Sequence, residues 1–202
     1  DSNSVLEYLD DNKRATSMSA SEEEYRTFFE ENTKDSNTLI HITSSKQISD
    51  GYKNAFNASK DMDNVFVVDS CKISGAMGIL VVTAADLAKK GATVEIILKE
   101  LEKVREKIEC TFVLRSADCL TYNSRVDHRI SDLLNTLTLH PVMSVKNRKL
   151  IFEKFIAGNE KQYIRNYIRN ILYHPSEIDD SLLIINTVGF SYEMQQFIVS
   201  ET

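Results

Sequence analysis

Between Thr38 and Leu114, short apolar runs alternate with longer stretches whose apolar residues recur at helical spacing. That alternation restricts the chain to a parallel sheet joined by right-handed crossover helices. Thr38 to Thr43 is strand-like. Ser49 can cap a helix carrying Tyr52, Ala55 and Phe56 on one side. Val65-Phe66-Val67-Val68 reads as a strand buried on both faces. Gly75 to Lys90 is expected as a helix with Ala76, Leu80, Ala84 and Leu87 inward and Gly91 as its stop. Thr93 caps the next helix, where Val94, Ile97, Leu98, Leu101, Val104 and Ile108 share a face. Cys110 to Leu114 is expected as the following strand. Ligands of such sheets sit beyond the carboxyl ends of the strands. Here those ends are Thr43-Ser44-Ser45 and Asp69-Ser70, and the loop before the first strand holds Thr16 and Ser17.

The flanks read differently. Val5 to Asn12 is a weak helical turn or a loop, and residues 13–20 are small and polar, hence a loop. Ser21 with Glu24 makes a capping-box pattern, so a helix with Tyr25, Phe28 and Phe29 on one face should run to about Glu31. After Leu114 the chain turns irregular from Asp118 to Arg129. Ile130 to Leu137 is a short helix. Leu139 to Val145 and Leu150 to Ile156 flank Lys146-Asn147-Arg148-Lys149, an antiparallel hairpin with a basic turn. Gln162 to Leu172 is a helix that His174-Pro175-Ser176 breaks. Leu182 to Ile185 is expected as a strand and Tyr192 to Ser200 as a last helix. The predicted organisation is an α/β domain over 1–124, a parallel sheet with flanking helices. A smaller α+β domain follows over 125–202, with the boundary near Ser124.

Composition excludes several functions. The 202 residues are 42% hydrophobic, enough for a substantial core, and the net charge of −6 disfavours nucleic acid. Cys71, Cys110 and Cys119 form neither a disulfide framework nor a Cys-x-x-Cys pair, as expected of reduced thiols in a cytoplasmic protein. No run approaches the length of a membrane span, and the polar start is no secretory signal. The missing initiator Met is expected if the chain is cut from something longer. Gly75-Ala76-Met77-Gly78 lacks both the Walker lysine and the dinucleotide spacing. His41, His128, His140 and His174 show no metal-motif spacing with Cys, Asp or Glu, and His140-Pro141 on a strand reads as structural. No Ser–His–Asp or Cys–His set can be assembled. The expectation is therefore a non-enzyme with no cofactor and no metal.

What remains is hydroxyl groups in loops. Ser44, Ser45 and Ser49 flank a helix start, where backbone N–H groups and hydroxyls bind anions; they read equally well as helix caps. Thr16 and Ser17 read as a hydroxyl pair for an anionic head group, or as a loop before a capped helix, which spacing alone favours. Gly51 lets a ligand approach the backbone or is merely tolerated. Arg125 and Arg129 fall in the interdomain loop. Arg129 reads as a docking or gating residue or as one half of a salt bridge, and spacing alone favours the second.

These motifs together resemble the DegV family of bacterial fatty-acid-binding proteins. Thr16-Ser17-Met18-Ser19 stands at the family's Thr-Ser-Gln-Pro-Ser. Ser44-Ser45-Lys46-Gln47-Ile48-Ser49-Asp50-Gly51-Tyr52-Lys53-Asn54-Ala55 is similar to its Ser-Ser-x-Leu-Ser-Gly-Thr-Tyr-Gln-Ser-Ala, with one residue inserted. Val67-Val68-Asp69-Ser70 and the glycines at 75 and 78 match the third motif, Arg129-Ile130-Ser131 ends the fourth, and Leu137 to Val142 resembles the fifth. Departures are Met18-Ser19 for Gln-Pro, Asp127-His128 for Gly-Gly, Asn186-Thr187-Val188-Gly189 for a His-Ala-Gly segment, and the absence of both family termini. The resemblance implies a two-domain fold, the EDD fold, with a lipid tunnel between the domains. It implies a bound long-chain fatty acid whose carboxylate is held by Thr16, with Ser17 beside it, and by Ser45 or Ser49. It also implies a fatty acid kinase as partner, with Arg129 on the partner-facing surface. A sensing or interaction module within a longer signalling protein is the alternative reading.

Overall fold

The computed structural model describes residues 4–5, 7–8, 15–34, 37–116, 128–172 and 183–202. The expected boundary near Ser124, Arg125, and the break at His174-Pro175-Ser176 lie outside them. The chain divides into two units. One holds 15–110 together with 145–150, the other 1–14, 111–144 and 151–202.

In the unit of 15–110, helix α1 (Glu22–Asn32) starts on the expected capping box. The Ser21 hydroxyl accepts from the Glu24 amide and the Glu24 carboxylate accepts from the Ser21 amide. Strand β1 (Leu39–Thr43) leads to helix α2 (Gly51–Ala58), then to strand β2 (Val65–Asp69). The strands pair in parallel from Leu39 opposite Val65 to Thr43 opposite Asp69. Helix α3 (Ser74–Lys89) and helix α4 (Val94–Lys107) follow. Gly91 stops α3 at φ +79°, a left-handed turn that glycine adopts without a Cβ clash. One core cluster joins Ala76, Leu80, Ala84, Ile97, Leu101 and Ile108, with Ile40, Ile42 and Val68 of the sheet against them. A second, of Phe29, Ala55, Ala58 and Val65, fixes α1 and α2 on the other side.

Thr93 is the N-cap residue of α4, but its hydroxyl does not bond back to the helix. The Glu95 carboxyl, exposed in the first turn, is held below the usual carboxylate range, chiefly by the neighbouring Thr93 hydroxyl.

His41 of β1 lies against Tyr25, Phe28 and Phe29, with ring centroids 5.2, 6.4 and 5.3 Å away. Burial among these rings pushes its pKa below the usual histidine value. The unfolded chain therefore binds the proton more readily. The contribution to stability is complete above about pH 6.5 and is lost as the pH falls through the lowered folded value. Thermal unfolding at pH 5 and pH 8 should show this acid loss in the wild type. It should be smaller in His41→Phe, which keeps an aromatic ring and removes the titration.

The second unit holds strand β3 (Thr111–Val113), helix α5 (His128–Thr136), strand β4 (Leu139–Lys146), strand β5 (Lys149–Ala157), helix α6 (Glu160–Ile171) and helix α7 (Tyr192–Glu201). The sheet order is β3-β4-β5. The strand expected over Cys110 to Leu114, as a continuation of the parallel sheet, forms over Thr111–Val113. It pairs antiparallel with β4 instead, Thr111 opposite Ser144 and Val113 opposite Val142. Alternation of strand and helix predicts the element, but the free edge it meets in space decides its partner.

The β4–β5 turn is as expected, with Asn147 at φ +50° and Arg148 at φ +67°. Both residues are left-handed, as a two-residue type I′ hairpin requires. Residues 183–185 form no strand, although Leu182 to Ile185 is β-prone in sequence. Strand propensity is realised only beside a pairing edge. Val142, Ile156, Tyr163, Ile164, Ile168, Met194 and Ile198 make the core of this unit. His140 is stacked on Tyr163 at 3.7 Å, its ring nitrogens facing the carbonyls of Arg115 and Gly158 at 2.8 and 3.0 Å. No helix among the described residues is long and apolar enough to cross a membrane.

Candidate head-group site at the strand ends

The ends of β1 and β2 are tied together by polar contacts. The Ser70 amide donates to the Thr43 carbonyl (3.1 Å) and the Ser45 amide to the Lys72 carbonyl (2.9 Å). Asp69 is the crossbrace. Its Oδ1 accepts from the amides of Cys71 (2.9 Å) and Lys46 (3.3 Å), while its backbone carbonyl accepts from the Arg105 guanidinium (3.0 Å). Its Oδ2 is buried with no partner among the described residues. Such a group bonds a buried water or a ligand donor when either is present. Ser70 is fully buried, and its hydroxyl donates to the Lys72 carbonyl. Ser44 is half-buried, its Oγ 3.9 Å from Met77 Sδ.

Ser45 and Ser49 have different environments. Ser45 is 0% exposed, and its hydroxyl donates to the Arg148 carbonyl at 2.7 Å. The hairpin tip is held to this unit a second time by the Val145 amide, which donates to the Cys110 carbonyl (2.9 Å). Arg148 is a bulky residue in a left-handed conformation, which costs on the order of 1–3 kcal/mol unless neighbours hold it. The Ser45 bond and the Val145 bond are such neighbours.

Ser49 is half-buried. It was expected to be the N-cap of α2. The N-cap position falls to Asp50, whose side chain makes no capping bond, while the Ser49 hydroxyl accepts from the Gly51 amide at 3.1 Å. The chain makes one further turn after Ser45, with the amides of Ile48 and Ser49 both bonded to the Ser45 carbonyl. That turn moves the helix start one residue on.

The 15–20 segment reaches this loop through Ser19, whose Oγ is 2.9 Å from Ser49 Oγ. The Asn54 side-chain amide donates to the Ala20 carbonyl (2.7 Å) and pins the same segment to α2. Thr16 and Ser17 are exposed on it. Three residues of extended chain span at most about 11 Å, so Thr16 lies within that reach of Ser19. A Cβ on Gly51 would stand 3.2 Å from the Tyr25 hydroxyl and 3.3 Å from Ser49 Oγ. The glycine thus makes room for α1 to approach the start of α2.

Arg129 was placed in a loop by sequence. It is exposed in the first turn of α5. Sequence reasoning placed Arg148 in the basic turn but missed its carbonyl as the acceptor for Ser45, and it missed the contact of Ser19 with Ser49. Ser19 was visible as one more hydroxyl in its motif, whereas nothing local links the Arg148 carbonyl to a serine 103 residues earlier. Among the described residues no three His, Cys, Asp or Glu are grouped to hold a metal.

The family model described as "Uncharacterised protein, DegV family" matches residues 1–192. A fatty acid-binding protein of Thermotoga maritima is 26% identical over 200 residues, covering 92% of this chain and 69% of the relative. A DegV domain-containing protein of Staphylococcus aureus is 26% identical over 152 residues, covering 74% of this chain and 54% of its own length. Among solved structures, a Thermotoga maritima protein described as revealing a fatty acid binding function is similar with TM-score 0.68 and 23% identity, over 86% of this chain and 62% of that one. The Streptococcus pneumoniae Fatty Acid Kinase (Fak) B3 protein loaded with linoleic acid is similar with TM-score 0.70 and 20% identity, over 86% of this chain and 63% of that one. The chain thus spans about half the length of the staphylococcal relative and under two thirds of the solved chains. With the family's motifs in order and its fold matched in space, the chain belongs to the DegV family.

Proposed function

We propose that this chain binds a long-chain fatty acid without chemistry of its own and presents it to a fatty acid kinase. The observation that carries the reading is the Ser19–Ser49 hydroxyl pair at 2.9 Å, which joins the segment of Thr16 and Ser17 to the start of α2. In any such pair one hydroxyl donates to the other, and the acceptor keeps its own proton for a third group. With Ser49 Oγ already accepting from Gly51, that proton is available to a carboxylate whichever serine donates. Ser45 is less suited, because its proton is committed to Arg148. The head group is thus assigned to Thr16, Ser17, Ser19 and Ser49, with Ser45 as support beneath them. Hydroxyl donors satisfy a carboxylate without a buried counter-charge. Each acyl methylene taken from water adds about 0.8 kcal/mol. The relatives described as fatty-acid-binding support the ligand class, and the one described as a fatty acid kinase B protein supports the partner.

Native mass spectrometry after gentle purification tests this. A one-to-one mass increment matching an acyl chain is expected. Ser49→Ala and Thr16→Val should lower occupancy while remaining folded. Ser45→Ala should retain the acid but lose about 1–2 kcal/mol of stability, because the Arg148 carbonyl loses its donor. A clean apo mass with no uptake of added fatty acid refutes the reading. Given ATP and a fatty acid kinase, the wild type should support acyl phosphate formation, and Arg129→Glu should not, at unchanged occupancy.

A further inference from the structure

A groove of about 410 Å³ lies between β5 and α6, lined by Lys154, Phe155, Ile156, Asn166, Arg169 and Asn170. It is remote in sequence from the head-group loops, and the proposed fatty-acid binding makes no use of it. Strand β5 is the edge of its sheet, bonded to β4 alone among the described residues. An edge strand presents unpaired N–H and C=O groups to any extended chain that reaches it. Helix α6 turns Tyr163, Ile164 and Ile168 into the core. That leaves Asn166, Arg169 and Asn170, at i, i+3 and i+4, on its exposed flank. Lys154 and Arg169 are both exposed, and neither meets a carboxylate among the described residues. Phe155 is 38% exposed, with its ring 4.8 Å from that of Phe152.

A lysine on an edge strand also discourages self-association. That accounts for Lys154, but not for the arginine and two carboxamides facing it from the helix. On a chain of net charge −6, two cations without a carboxylate partner among the described residues, bordering one edge strand, mark a surface for an acidic partner. We infer that this groove docks an extended acidic segment of a partner protein, which adds to β5 as a further strand. Backbone bonds to β5 would supply register, and every second side chain of the segment would turn toward α6. A carboxylate there meets Arg169 and Lys154 with Asn166 and Asn170 beside them, and an apolar residue of the segment covers Phe155.

The test uses the isotopically labelled full chain, titrated by NMR with a capped hexapeptide of alternating valine and glutamate. Amide shifts are expected in residues 151–157 and 166–170. Lys154→Glu and Arg169→Glu should each weaken binding roughly tenfold or more, the loss of one charge-assisted hydrogen bond. Lys154→Gln and Arg169→Gln repeat the comparison without charge reversal should either reversal unfold the chain. The counterpart peptide with lysine for glutamate should produce no shifts. Absence of shifts with the acidic peptide, an equal response to the basic one, or the same shifts from inorganic phosphate alone would each overturn the inference.

Discussion

Leu80→Ala is expected to remove about 3 kcal/mol of unfolding free energy. Leu80 is 0% exposed and sits in the second turn of α3, where Ala76 and Ala84 one turn either side are also buried. Its cluster is completed from two sides, by Ile97 and Leu101 of α4 and by the sheet residues Ile40, Ile42 and Val68. Truncation loses the transfer energy of the removed carbons and leaves a cavity that rigid neighbours on a sheet and two helices fill poorly. For a unit of this size the melting temperature should fall by roughly 10–20 °C. Hydrogen exchange should place the loss in β1, β2, α3 and α4. A drop below about 1 kcal/mol would show that this cluster is not the packed core of the unit.

Tyr163→Ala should cost about 4 kcal/mol, in the range for losing a buried aromatic ring. Tyr163 is 1% exposed and belongs to the cluster of Val142, Ile156, Ile164, Ile168, Met194 and Ile198. The ring of His140, stacked on Tyr163 at 3.7 Å, would lose that support. Leu80 and Tyr163 share no cluster member, so their effects should add, and hydrogen exchange should place the second loss in β4, β5, α6 and α7. The phenol carries a second signature. Burial, reinforced by the Glu160 carboxylate, pushes its pKa from 10.0 up to about 12. The unfolded chain ionises first, so this contribution is complete below pH 10 and is lost between pH 10 and about 12. Tyr163→Phe should abolish that alkaline loss while keeping most of the packing. A Tyr163→Phe variant with the same alkaline profile would remove Tyr163 as its source.

Local chemistry was legible wherever a residue acts on neighbours a few positions away. The Ser21–Glu24 capping box, the stop at Gly91 and the left-handed Asn147-Arg148 turn depend on contacts within four residues. The inward faces of α3 and α4 follow from helical period alone. The same local rules explain why Ser49 and Thr93 were misjudged in detail. Each stands beside a helix start and has a hydroxyl to spend, but the N-cap position falls to Asp50 in the first case and the Thr93 hydroxyl makes no capping bond in the second. β3 shows the limit for pairing: three residues of strand carry no mark of the edge they will join. Leu183 to Ile185 shows the converse, since a β-prone run that joins no strand among the described residues remains irregular.

The sequence by itself determined that hydroxyls gather where strands end and helices begin, and its motifs in order specified the family. Only the tertiary structure decided which partner each hydroxyl meets. Ser45 spends its proton on a carbonyl 103 residues away, and Ser49 meets a serine 30 residues before it. A hydroxyl has a single proton to donate, so its availability depends on the acceptor that folding brings beside it. No spacing rule contains that acceptor, because the hairpin tip that supplies it is distant in the chain and adjacent only in space.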